Sequence, residues 1–207
     1  MNDVQKIALA YAPRRCRDAL AALWACDAAL GRVVATTTEP MIGQMRLTWW
    51  HERLTGLDAG EVPAEPVLAA LHDVVRHHDV TGAMLAGIVE GWEVLLEPLP
   101  LGDDALRALA IERGDGLFAL SAQIIGATVS AGLGAGWALI DFAAHCSDQV
   151  TAERAWAMAA RLFKETAVTG PKPLRILTKI ARAKAMRPVD EMTQPVSRWQ
   201  LLRAVLS

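Results

Sequence analysis

The sequence predicts an all-α fold, a single helical bundle, and three observations carry that prediction. Apolar residues recur at helical spacing along nearly the whole chain. No stretch alternates apolar and polar residues for long enough to make a strand. Proline and glycine fall mostly between the periodic runs, as punctuation. A chain of 207 residues, 53% of them apolar and with mean hydropathy +0.23, can bury a full core and is not a disordered segment. The expectation is one domain over 1–207, with a basic amphipathic segment at about 172–207.

The periodicity places helices over 3–11, 14–35, 40–56, 64–78, 82–97, 103–127, 135–148, 151–168, 173–186 and 197–206. Pro13 and Pro40 suit first-turn positions, where a missing amide proton costs nothing. In the second helix Leu20, Leu23, Leu30 and Val34 share one side, and Asp27 and Gly31 lie on that same side. A carboxylate on an apolar face is costly unless it is paired or hydrated. Two readings follow for Asp27: an ion pair with an arginine of a neighbouring helix, such as Arg46, or the remnant of a polar pocket.

The histidine-rich stretch with His72, His77 and His78 has no companion cysteine and suits the last turn of a helix, where cations complement the dipole. Glu90, Glu93 and Glu97 read as a solvated face. From Gly116 to Ile140 there is no charged residue, a length able to span a bilayer. Five glycines and the polar Ser121, Gln123, Thr128 and Ser130 divide it, so two buried helices joined by the SAGLGAG turn are expected instead. Asp141, His145 and Asp148 recur at i, i+4 and i+7, one helix face that is either solvated or able to present ligands. Between Leu174 and Ala185, Leu174, Ile176, Leu177, Ile180 and Ala181 form one side, and Arg175, Lys179 and Arg182 the other. Such a helix suits an ordinary surface or an anionic membrane.

Several function classes are excluded. There is no glycine-rich phosphate loop, no HExxH and no GxSxG. Nucleic-acid binding lacks both a basic pI and an aromatic platform. Cys16, Cys26 and Cys146 form no CxxC pair, and the N-terminal apolar stretch is too short for a signal peptide. A cytoplasmic protein, or one peripheral to the inner face of the membrane, is therefore expected. Residues 172–207 carry +6 against -8 for the remainder, so either the tail folds onto an acidic body or it meets an anionic partner. Seven tryptophans suggest pocket edges or interfaces.

The stretch from Tyr11 to Leu54 resembles the N-terminal region of the squalene/phytoene synthase family. The resemblance lies in Ala22, Leu23, Trp24 and Ala25, and in the run Arg46, Leu47, Trp49 and Trp50. Weaker similarity continues through ERGDGLFALSAQIIGA and GLGAGWALIDFAAHCSD. It implies an isoprenoid synthase helical bundle that joins prenyl diphosphates head to head, with magnesium held by two aspartate-rich motifs. It also makes Arg46, Trp49 and Trp50 candidate substrate-binding residues. The first motif's place reads Gly31 to Ala35 without an acid, and the second reads His145 to Gln149 with Asp148 one residue out of phase. Without those acids, magnesium-assisted departure of diphosphate loses its main support. The chain thus resembles a branch of the family, including a respiratory complex I assembly factor, that lacks full aspartate motifs.

The expectation is a non-catalytic protein that binds a lipid or isoprenoid, or assists assembly of a membrane-protein complex, with no metal or other cofactor. The alternative is an active prenyltransferase using Asp27, Asp141, His145 and Asp148 with magnesium. A third reading is a structural subunit that docks a protein through its tryptophans.

Overall fold

The computed structural model describes residues 2–60, 64–188, 191, 204 and 205. Ten α-helices run through the described residues: α1 (Asp3–Ala10), α2 (Arg17–Ala35), α3 (Pro40–Gly56), α4 (Pro66–His77), α5 (Gly82–Glu93), α6 (Asp103–Ala108), α7 (Gly116–Ile125), α8 (Leu133–Ala143), α9 (Gln149–Glu165) and α10 (Lys172–Ala185). No strand occurs among these residues. The all-α expectation holds, with the helix expected over 103–127 divided and that over 135–148 ending early at Ala143; the helix expected over 197–206 falls largely outside the described residues.

Local chemistry sets the helix starts. Asn2 and Gln5 form a reciprocal capping box on α1, Glu65 accepts from Leu68 N at the head of α4, and Thr81 does the same for Met84 N on α5. Pro40 opens α3, as expected. Pro13 instead sits in extended backbone just before a 3₁₀ turn, Arg14–Cys16, that shortens the expected helix at its start.

The uncharged Gly116–Ile140 segment divides into α7 and α8, and no helix among the described residues is long and apolar enough to cross a membrane. Gly126 and Gly132 bound the turn with φ of 76° and 83°, a left-handed backbone that glycine alone adopts readily.

The helix expected over 103–127 contains an irregularity that periodicity does not reveal. Between α6 and α7 the seven residues Leu109–Asp115 wind as a π-helix. Such stretches are rare, and they re-aim the side chains they carry. This one lies against α5 and α8. Helix α8 is buried along nearly its whole length, between α9, α10 and the π segment. The apolar side of α10 is likewise spent in the core, with Leu174 and Ile176 fully buried.

Candidate functional site

The site begins with the costly carboxylate on α2. Asp27 is 2% exposed, so it must be neutralised from within the protein. Its partner is Arg113, 3% exposed, on the π segment. Arg113 Nε donates to Asp27 Oδ1 at 2.9 Å and Nη2 to Oδ2 at 3.1 Å, the two-point geometry that suits guanidinium to carboxylate. Trp92 Nε1 on α5 adds a third bond to Asp27 Oδ1 at 2.9 Å. Arg113 Nη2 also donates to Asp141 Oδ2 on α8 at 2.7 Å. One guanidinium thus ties α2 to α8.

The ring systems complete the cage. The Arg113 guanidinium carbon lies 4.0 Å from the Trp92 ring centroid and 5.0 Å from that of Trp137, within cation–π range of both. Trp92 can lie close because position 31 is glycine; a Cβ there would meet the indole at 2.8 Å. Burial works against the Arg113 charge, but Asp27 and then Asp141 outweigh it and raise its pKa. Arg113 is a permanent cation here.

This cluster forms the floor of a cavity of about 740 Å³, a size suited to a small organic ligand. Apolar walls come from Ala28, Val34, Leu95, Leu101 and Phe142, and exposed Thr38, Leu99, His145 and Ser147 stand at its mouth.

The sequence candidates separate into three groups. Asp27 and Asp141 meet on Arg113 in the cavity floor. The ion-pair and pocket readings of Asp27 therefore hold together, with the cation corrected. Arg46 is not that cation: it is exposed on α3 and reaches the hydroxyls of Thr36 and Thr37 at 3.4 and 3.3 Å. His145 lines the cavity, and its Nδ1 donates to the Asp141 carbonyl at 2.7 Å. Neither His145 nor Asp148 lies on the helix that carries Asp141, which corrects the i, i+4, i+7 reading. Helix α8 stops at Ala143, and Asp148 becomes the N-cap of α9, accepting from Thr151 N at 2.7 Å and Thr151 Oγ1 at 2.6 Å. Arg46, Trp49 and Trp50 do not line the cavity. Trp50 packs in the core, and exposed Trp49 stands edge-on to it with Arg53 nearby.

The hydrogen bonds from Thr151, side chain first, hold the Asp148 carboxyl below its ordinary range. A depressed folded-state pKa stabilises above the unfolded value, and the gain is lost as pH falls through the folded one. Asp148→Ala should therefore lower the melting temperature at neutral pH, with the gap from wild type closing in strong acid. An unchanged gap across that range would assign the cap no charge contribution.

The residues do not fit a magnesium site. Among the described residues no group of three or more His, Cys, Asp or Glu gathers where it could hold a metal ion. The two floor carboxylates already share the Arg113 guanidinium. Thiol chemistry is equally unprepared: burial, then Asp27 beside it, pushes the Cys26 thiol far up, and burial also raises Cys146.

Comparison with known proteins agrees with this architecture. Residues 6–105 match the profile of the squalene/phytoene synthase family. Over that stretch the chain is similar to the family. Its fold matches that of a dehydrosqualene synthase crystallised with a ligand, at TM-score 0.71 and 13% identity, over 99% of this chain and 90% of that one. A rat (Rattus norvegicus) protein, NADH dehydrogenase (ubiquinone) complex I assembly factor 6, is 28% identical over 97 residues. That match spans 47% of this chain and 28% of the rat protein, well under half of its length.

Arg113, Trp92 and Trp137 are the site residues that the sequence reading missed. A signal for Arg113 was available, because Asp27 demands a cation that can itself be buried. Arg113 is a basic residue beside a glycine, leading into the uncharged run from Gly116.

Proposed function

We propose that this squalene/phytoene synthase-like protein is non-catalytic and uses its cavity to hold a lipid or isoprenoid, in the service of membrane-protein assembly. One observation carries the reading: the floor carboxylates of an open cavity are neutralised by a protein cation, Arg113, and among the described residues no three His, Cys, Asp or Glu gather where they could hold a metal ion. Without that ion nothing in the floor would stabilise a departing diphosphate. The kinship with a respiratory complex I assembly factor supports the assembly role. Attachment would be peripheral, at the cytoplasmic face of a membrane, and electrostatic, because the apolar side of α10 is already buried. Its basic side crowds Lys172, Arg175 and Lys179; partial burial and then these neighbours hold the Lys179 pKa below its ordinary value.

The test is incubation of the full chain with farnesyl or geranylgeranyl diphosphate and magnesium. No squalene- or phytoene-like product above a protein-free control is expected, and organic extraction of the purified protein should release a bound lipid. Product that disappears in an Asp141→Ala variant would establish the prenyltransferase alternative instead.

A further inference from the structure

We infer that the cavity selects a lipid whose head donates hydrogen bonds and carries no negative charge, a long-chain alcohol rather than a phosphate or carboxylate. This rests on the ligand-holding reading above and narrows it to a chemical class.

The charge inventory comes first. Among the described residues the lining holds three carboxylates, Asp27, Glu97 and Asp141, against one guanidinium, Arg113. Two of the carboxylates bind that guanidinium directly, and indole rings lie over it. Outside the lining, exposed Arg46 is turned to the hydroxyls of Thr36 and Thr37, and Lys184 is half-buried in a separate small crevice shared with Asp141, Trp137 and Leu177. Burial holds the Lys184 pKa below its ordinary value, against the pull of Asp141. An anionic head entering the cavity would lose its hydration and meet no excess of positive charge.

The hydrogen-bonding inventory points the same way. Asp141 is 22% exposed at the side chain, and its carboxylate accepts from Arg113 through Oδ2. An ionised carboxylate offers only acceptors. Just beyond the end of α8, His145 donates from Nδ1 to the Asp141 carbonyl, which leaves Nε2 as the ring atom able to meet a ligand. Both residues line the cavity. A hydroxyl satisfies this pair, since it can donate to the Asp141 carboxylate and either donate to or accept from His145, whereas a phosphate oxygen would repel the carboxylate.

The experiment is a titration of the full chain with farnesol and with farnesyl diphosphate, read by the change in tryptophan fluorescence, to which cavity-lining Trp92 contributes, in chelator and again in magnesium. Farnesol should bind at least about tenfold more tightly than the diphosphate in both, as expected where like charges face each other. Asp141→Asn, which leaves the two-point Arg113–Asp27 pair in place, should weaken farnesol several-fold and narrow the difference. His145→Ala, at an exposed position, should also weaken farnesol while leaving the melting temperature unchanged. Diphosphate binding equal to or tighter than farnesol, or rescued by magnesium, would overturn the head-group inference but leave a ligand-holding cavity standing. Failure of both probes to bind would overturn the cavity reading itself.

Discussion

Asp27→Ala should lower the melting temperature by roughly 10 °C, taking about 2–4 °C for each kcal/mol in a chain of this size. The loss has three parts. Arg113 keeps Asp141 but forfeits its two-point partner, Trp92 Nε1 loses its acceptor, and a small void opens beside Leu23 and Leu30 on α2. Removing one member of a buried pair typically costs about 3–5 kcal/mol, because the surviving charge has already left water. Asp27→Asn keeps the shape and one acceptor, so it should fall between wild type and alanine. Adding Arg113→Met to Asp27→Ala should recover part of the loss, since the buried guanidinium is then gone and the carboxylate left behind, Asp141, is 22% exposed and reaches water. Melts of the four proteins by circular dichroism decide the matter. An alanine variant that melts with wild type would mean that Asp27 is solvated and the pair contributes nothing.

The helices and Asp27 were legible in the sequence for one reason: both are statements about burial on a single element. Leu20, Leu23 and Leu30 mark the buried side of α2, and a carboxylate on that side must have a partner whatever the tertiary fold. Which partner it has depends on a distant segment. Arg113 is 86 residues away and reaches Asp27 from a π-helical stretch that apolar spacing cannot distinguish from ordinary helix. The face expected of Asp141, His145 and Asp148 failed for a local reason. The amide and hydroxyl of Thr151 capture the Asp148 carboxylate, so the chain starts a new helix there instead of continuing the old one. Glycines misled most. Read as breaks, they fit at positions 126 and 132, but Gly134, expected in the turn, lies inside α8, where its backbone touches that of Gly114 on the π segment.

That contact carries the largest structural consequence for the site. Gly134→Ala should destabilise by about 3 kcal/mol, the upper end of ordinary overpacking, and should abolish ligand binding as well. A Cβ on Gly134 would lie 2.1 Å from the Gly114 carbonyl oxygen and 2.9 Å from the Asp115 Cα. These are backbone atoms, which no rotamer change can move, so α8 and the π segment must separate. Arg113 immediately precedes Gly114, and Asp141 lies about two turns along α8 from Gly134, so the same separation stretches the 2.7 Å Arg113–Asp141 bond. It also draws Asp115 away from the Gly132 and Ala135 amides that it caps at 2.9 and 3.0 Å. Gly87→Ala on α5 is the control: a Cβ there meets nothing within 4 Å. The same change should then stabilise by about 0.4–1 kcal/mol, through a less flexible unfolded chain. Opposite signs in paired melts, with farnesol binding lost only at position 134, are the expected result. A Gly134→Ala protein that melts and binds as wild type would show that the two backbones are not in contact, and that the crossing does not position Arg113.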